Sequence, residues 1–416
     1  MGEVRTLANG MRIFLDPMPG LETAAVGVWA QAGAIDEAPE ENGVAHLLEH
    51  MAFKGTERRS ARAIAEEIEA VGGYLNAATG YQRTGYYARI LKDDVTLAFD
   101  ILADILTDPL FDPADLAKEQ EVVVQEIGEA NDAPDDAVAE LLQTLAFREQ
   151  SLGRPILGDV ESVRGHTPSR LRAFVGRLYR PQQLIVAAAG AIDPDKIEEL
   201  ALAYFGARAP TGEEQSRPKP IYVGGAKHDG RDIEQTHISL AFPAVSARDA
   251  DYFATRVFAE ALGGGMSSRL FQKIREDRGL AYSVYAYADC YDETGVIGAY
   301  VGTDEENARD CVRMIREELT SSASDMTDAE IDRARALLRS NMLMSLESPH
   351  NRIETAAAQI FTYGDLVPTA HLLQRLESVT VEDVRRCAER ALTAGPASLA
   401  VVGPAEFAAL SGELRA

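Results

Sequence analysis

The sequence predicts an α+β protein built from two tandem homologous α/β modules, on three observations. The chain has 416 residues, more than one compact core accommodates and about right for two domains of ordinary size. A breaker-rich stretch, Ala209-Pro-Thr-Gly-Glu-Glu-Gln-Ser-Arg-Pro-Lys-Pro220, falls at its midpoint and reads as an extended linker. The halves on either side resemble each other in the same order, at an offset of about 210 residues. Glu161-Ser-Val163, a helical pattern and Leu184-Ile-Val-Ala-Ala-Ala-Gly190 are answered by Glu377-Ser-Val379, a helical pattern and Leu399-Ala-Val-Val-Gly403. Ile68-Glu-Ala-Val-Gly-Gly-Tyr74, with strands to Ile90, is answered by Ile274-Arg-Glu-Asp-Arg-Gly-Leu-Ala-Tyr282, with strands to Val301. The expected boundaries are 1–208, a linker over 209–220, and 221–416.

Within a module, Ala24 to Ala30 and Tyr86 to Leu91 read as strands, being rich in β-branched or aromatic residues. Val44 to Met51, Ala61 to Val71, Val95 to Leu106, Leu116 to Ile127 and Ala137 to Phe147 carry apolar residues at helical spacing. Asp112-Pro-Ala-Asp115 has the form of a helix start, with proline in the first turn and carboxylates that complement the helix dipole.

With 41 basic and 66 acidic residues, the formal charge is -25. Such a surface repels nucleic acid and anionic membranes, and on charge alone favours basic peptides as partners. The three cysteines, Cys290, Cys311 and Cys387, are too far apart for a disulfide framework or a paired-cysteine metal site, which fits a reducing compartment. No apolar run is long enough to span a bilayer, and the N-terminus runs directly into strand-like sequence. The expected location is the bacterial cytoplasm, or an organelle matrix after loss of a targeting segment.

The strongest local signal is His46-Leu-Leu-Glu-His50. Four residues apart on a helix, the two imidazoles lie on one face and can share a cation, and Glu49 borders that face. Neutral imidazole suits zinc, and a catalytic zinc site takes three protein ligands. On this pattern Glu49 is the candidate base, while a third ligand has to come from elsewhere.

Asn42-Gly-Val-Ala-His-Leu-Leu-Glu-His-Met-Ala-Phe-Lys-Gly-Thr56 closely resembles the signature of the pitrilysin-type M16 peptidases, the inverted zincins. The similarity is closest to the subfamily of mitochondrial processing peptidase and its bacterial relatives. It extends through Gly73-Tyr-Leu-Asn-Ala-Ala-Thr79, Glu119 to Glu129, and Leu262-Gly-Gly-Gly-Met-Ser-Ser-Arg-Leu-Phe-Gln272, and so covers both repeats.

The resemblance implies a zinc-dependent endopeptidase with one Zn2+ per chain, and the metallohydrolase fold in which two such modules close as a clamshell-like chamber. It places the third ligand at Glu126. Glu119, seven residues earlier on the same helical face, would support the site from behind; read without the family, both glutamates fit a solvated acidic face equally well. Arg275 and Tyr282 match the arginine and tyrosine that M16 enzymes bring towards the metal from the second module, with Arg278 and Tyr285 as an identically spaced competing pair. Asn76, Ala77 and Thr79 resemble the family's substrate-binding edge strand. Gln82 stands where relatives often carry glutamate.

The second module looks metal-free. Thr255 to Leu262 contains no histidine, and the helix beginning near Glu330 has no further glutamate until Glu347. The run Gly263-Gly-Gly265 lacks the Gly-Lys-Ser/Thr ending of a phosphate loop, which argues against nucleotide binding, and the resemblance implies a flexible gate there. Because the motif and the Arg275/Tyr282 pair share one chain, a homodimer is expected, with a heterodimer with a related M16 subunit as the alternative. Peptides are the expected substrates.

Overall fold

A computed structural model describes residues 2–209 and 217–413; residues 210–216 of the expected linker lie outside the described residues. The strands of the first half are β1 (Glu3–Thr6), β2 (Arg12–Pro17), β3 (Thr23–Ala30), β4 (Tyr74–Thr79), β5 (Thr84–Leu91) and β6 (Leu184–Gly190). Those of the second half are β7 (Gly225–Asp229), β8 (Thr236–Ala244), β9 (Ala281–Cys290), β10 (Gly295–Thr303) and β11 (Ser398–Val402). They form two sheets, ordered β1-β2-β6-β3-β5-β4 and β7-β11-β8-β10-β9.

The first half carries helices α1 (Val44–Ala52), α2 (Ala61–Ala70), α3 (Val95–Thr107), α4 (Pro113–Asp132), α5 (Pro134–Ala146), α6 (Val160–Arg164), α7 (Pro168–Leu178) and α8 (Pro194–Phe205). The second carries α9 (Tyr252–Gly263), α10 (Ala308–Asp325), α11 (Asp328–Ser345), α12 (Pro349–Tyr363), α13 (Thr369–Glu377), α14 (Val381–Thr393) and α15 (Phe407–Glu413). The five helical segments and two strands read from periodicity lie within or overlap α1 to α5, β3 and β5, with boundaries displaced by a few residues. At the start of α4, Asp112 accepts from the amides of Ala114 and Asp115, at 2.8 and 3.2 Å, as its Asp-Pro context indicates.

Topology bears out the repeat. In the first sheet β2 and β6 are parallel, and the pairs β6–β3, β3–β5 and β5–β4 are antiparallel. In the second, β7 and β11 are parallel, followed by the antiparallel pairs β11–β8, β8–β10 and β10–β9. The order and sense of five strands are therefore the same twice, and β4 and β9 are equivalent free edges. The central strands β3 and β6 are almost wholly buried because both sheet faces are covered, which is why they read as continuous apolar runs instead of alternating.

By compactness the chain forms two units. One comprises Met1–Ile127, Pro155–Arg217 and Leu343–Pro368, the other Gly128–Arg154, Pro218–Met342 and Thr369–Ala416. The boundaries read from the sequence enclose the two sheets, but each unit also takes a helix from the other half of the chain. In the first unit, Leu47, Met51, Phe99, Phe174 and Phe205 pack on one sheet face. The other face, with Trp29, Ile185 and Ala187, packs against Ile353, Ala357 and Ile360 of α12. In the second unit, α5 lies on β8 and β11. Among the described residues no helix is long and apolar enough to cross a membrane.

Candidate active site

Helix α1 is positioned by backbone chemistry before its functional side chains come into play. Its first turn follows Gly43, whose φ of +84° lies in the left-handed region. A Cβ there would also come within 2.7 Å of the Leu157 carbonyl oxygen, so the close crossing of residues 42–43 over 157–158 requires glycine. Glycine has no side chain with which to cap a helix, and Glu37, which is buried, takes that role from upstream. Its Oε2 accepts from Gly43 N at 2.9 Å and Asn42 Nδ2 at 3.1 Å, and its Oε1 from Ala45 N at 2.9 Å. A carboxylate here also complements the positive end of the helix. His166, buried as well, donates from Nε2 to the Asn42 carbonyl at 3.0 Å, and Asn42 Nδ2 reaches the Pro155 carbonyl at 2.9 Å.

From this helix His46 and His50 project side by side, their ring centroids 4.7 Å apart. Glu126, on α4, places Oε2 at 3.7 Å from His46 Nε2 and 3.5 Å from His50 Nε2. One donor atom from each of the three lies within 4.8 Å of the other two, the only such metal-capable group among the described residues. The set fits a divalent cation with a preference for nitrogen and oxygen ligands. His50 Nδ1 lies 3.2 Å from Glu119 Oε2. Carrying its proton on Nδ1, facing that buried carboxylate, leaves the Nε2 lone pair directed at the shared point. Burial, with His50 beside it, pushes the His46 pKa down to about 4, so this imidazole is neutral near pH 7 as a ligand must be.

Glu49 stands beside the histidines, and its Oε2 accepts a hydrogen bond from Thr79 Oγ1 at 2.5 Å. Burial raises its pKa, opposed by the Thr79 hydrogen bond and by His50. Behind it Tyr86 and Tyr179, both buried, face each other with hydroxyl oxygens 3.1 Å apart. A carboxyl group whose pKa is raised, next to the neutral imidazole of His46, is the chemistry of a proton acceptor working near neutral pH.

The expected residues fall into three places. His46, His50, Glu126, Glu49 and Glu119 come together, with Thr79. Asn76 and Ala77 lie on the same edge strand β4, where alternation puts Ala77 and Thr79 on the α1 face and Asn76 on the opposite one. Thr79, expected to bind substrate, directs its hydroxyl to Glu49. Asn76 Nδ2 donates to the Tyr74 hydroxyl at 2.9 Å. In the second unit Arg275 sits on a π-helical turn, Phe271–Glu276, with its guanidinium 4.5 Å from the Tyr282 ring centroid. Tyr282 is 79% exposed. Tyr285 instead stacks on Tyr300, at 4.9 Å, while Arg278 is exposed and acts electrostatically on Asp310, so Arg275 and Tyr282 alone form a stacked pair. Gln82 accepts through its carbonyl from Arg217 at 2.7 Å. At Gly263 an added Cβ would come within 2.3 Å of Ala286 N, so close packing of α9 on β9 accounts for that glycine.

Sequence reasoning missed Glu37, Lys54, and the pair Tyr86 and Tyr179. Lys54 Nζ lies 2.7 Å from Glu119 Oε1, and its position four residues after His50 was an available signal. For Glu37 there was none, because two of its partners, Gly43 N and Ala45 N, are backbone amides reached across a turn.

Residues 12–160 match the family model described as Insulinase (Peptidase family M16), and residues 166–338 match Peptidase M16 inactive domain. An uncharacterized zinc protease of Streptomyces coelicolor is 38% identical over 415 residues, spanning 97% of this chain and 90% of its own. One of Bacillus subtilis is 34% identical over 400 residues, spanning 96% and 97%. The crystal structure of a protease from Helicobacter pylori superposes with a TM-score of 0.88 at 20% identity, over 97% of this chain and 99% of that one, a likeness of fold. With both halves matched by models of one family and full-length relatives above 30% identity, the chain belongs to peptidase family M16 and is a zinc metallopeptidase.

Proposed function

We propose that the chain hydrolyses extended, unstructured peptides, basic ones by preference, with His46, His50 and Glu126 as zinc ligands and Glu49 as general base. The observation that carries this reading is the convergence of the three donor atoms beside a carboxylate that Thr79 holds from an edge strand. Zinc bound there supplies Lewis acidity at the scissile bond. Thr79 occupies Glu49 Oε2, leaving Oε1 to take the proton of the attacking water and return it to the departing amine. Glu119 orients His50, and Lys54 offsets the Glu119 charge. The free edge of β4 pairs with the substrate backbone through Asn76 to Thr79, which favours extended peptides over particular sequences.

Arg275 and Tyr282 supply donors for the charge that develops on the carbonyl oxygen. Their part rests on the family resemblance, as do the enclosing chamber and the homodimer. The 25-unit excess of negative charge supports the preference for basic peptides. Three unpaired cysteines support a reducing cytoplasm.

The test is metal analysis of the purified chain together with cleavage of an unstructured basic peptide and of a stably folded protein. About one zinc per chain and chelator-sensitive cleavage of the peptide alone are expected. Comparable cleavage of the folded protein overturns the chamber, and zinc-independent cleavage overturns the site.

A further inference from the structure

The face of β4 turned away from α1 carries a second set of residues that zinc chemistry does not use. Tyr74 and Arg89 are cross-strand partners on β4 and β5. The Arg89 guanidinium lies 4.6 Å from the Tyr74 ring centroid, and Asn76 holds the Tyr74 hydroxyl. Next to them is a groove of about 410 Å³, lined by Thr23, Tyr74, Arg89, Leu91, Ser348 and His350 among others. Ser348 caps α12, so the positive end of a fifteen-residue helix forms one wall. His350 rests on Tyr87, with ring centroids 4.2 Å apart. Burial lowers its pKa, which keeps it a neutral hydrogen-bonding group near pH 7.

Charge is the unusual feature. In a chain with 66 acidic residues, no carboxylate among the described residues lies within ion-pair distance of Arg89. Of the carboxylates around the groove, Glu22 pairs with Lys92 at 2.6 Å, and Glu354, largely exposed, faces His350 with Oε2 at 3.9 Å from Nε2. A guanidinium on an aromatic shelf, beside a helix N-terminus and a groove, is built to receive an anion.

We infer that this groove binds a carboxylate of the peptide substrate, either the terminal carboxylate or the side chain of an acidic residue. The inference rests on the peptidase reading proposed above, because β4 connects the two places. From Thr79, which touches Glu49, to Tyr74 is five residues of strand, about 17 Å at 3.4 Å per residue. A peptide that adds to β4 antiparallel, as β5 does on the other side, runs from the Thr79 end to the Tyr74 end. Its residues near Arg89 are then about five positions C-terminal to the bond beside Glu49. The site selects the distance from the cut to a downstream negative charge, with Arg89 as the cation that receives it.

The experiment uses the full-length Glu49→Gln protein loaded with zinc, so that binding is read without turnover. Fluorescence anisotropy compares labelled peptides of one sequence: free acid against C-terminal amide, and, in the amide series, Glu against Gln roughly five residues after the cut. In one or both pairs the carboxylate-bearing peptide binds about five- to tenfold tighter, as for one charge-assisted contact at a partly exposed site. Arg89→Met brings that ratio to about one, and Arg89→Lys restores part of it. The pair that responds identifies the source of the carboxylate. Equal affinities in both pairs, or a ratio that Arg89→Met leaves intact, overturn the inference. Cleavage of the amidated peptide by wild-type protein reports separately on the peptidase reading, so cleavage without carboxylate discrimination removes the groove alone.

Discussion

Replacing Thr79 by valine removes one hydrogen bond and little volume, and its cost separates orienting the base from touching the substrate. Thr79 Oγ1 has one hydrogen to donate, and at 2.5 Å from Glu49 Oε2 against 3.5 Å from the Ala45 carbonyl it goes to the carboxylate. Hydrogen bonds to charged groups contribute about 1.5–3 kcal/mol. Taking about 2 kcal/mol as the cost of losing the orientation that this bond gives the base, kcat falls roughly 30-fold. KM for a quenched fluorescent peptide stays within about twofold, as for a group acting in the transition state. Zinc content is unchanged, since Thr79 contacts no donor of the metal group.

Two controls sharpen this. Thr79→Ser keeps the hydroxyl and should recover most of the rate. In a Glu49→Gln background Thr79→Val should cost less than about threefold, because no base is left there for the hydroxyl to orient. Since the hydroxyl favours ionised Glu49 and opposes the effect of burial, its loss raises the Glu49 pKa and moves the acid limb of the kcat profile to higher pH. A valine variant with wild-type kcat and full zinc refutes the argument. A loss confined to KM refutes it differently, and returns Thr79 to the substrate-binding role that the sequence suggests.

Further outcomes follow from the same geometry. Glu49→Gln keeps fold and zinc but loses at least about 100-fold in turnover, the scale of a lost general base, whereas Glu126→Gln loses zinc by metal analysis; zinc loss in the former would make Glu49 a ligand. Tyr282→Phe lowers kcat more than it raises KM, and wild-type kinetics in that variant would remove its hydroxyl from the reaction. Glu37→Gln points an amide at backbone donors and should cost about 2–3 kcal/mol in denaturant unfolding. The same variant should weaken zinc in a competition titration of the folded protein; an unchanged zinc affinity would show that the cap supports the fold without placing the histidines.

The repeat was legible because duplicated apolar patterns survive as spacing, and the histidine motif because ligands four apart on one helix are visible in any sequence. Glu126 was different: 76 residues beyond His50, it could be assigned only through resemblance. The exchange of α5 and α12 between units escaped for a physical reason. An amphipathic pattern states which face of a helix is buried and leaves open which sheet buries it, so a helix docked across the repeat reads like one docked at home. The opposite orientations of Asn76 and Thr79 were written in the period of two, yet treating the motif as a block hid them. Lys54 was likewise within reach of helical spacing, whereas Glu37 caps α1 by binding backbone amides, which no side-chain pattern records.

The two copies also show how little of the chemistry belongs to the fold. Helix α9 packs on the edge strand β9 as α1 packs on β4, but it contributes no histidine. On α11, the acid near its start is committed elsewhere: Glu330 takes Arg269 through both oxygens, at 2.6 and 3.0 Å, and Arg269 is held by Asp325 as well. The guanidinium draws the Glu330 pKa down to about 2 despite partial burial. A carboxylate neutralised in this way is an ion-paired joint and a poor metal ligand. What the second copy has instead lies in the connection from α9 to β9, where the π-helical turn brings Arg275 over Tyr282 and leaves the phenol exposed. One topology thus carries a metal-donor set in its first copy and a stacked arginine–tyrosine pair in its second, and the difference between them is a handful of side chains on matching elements.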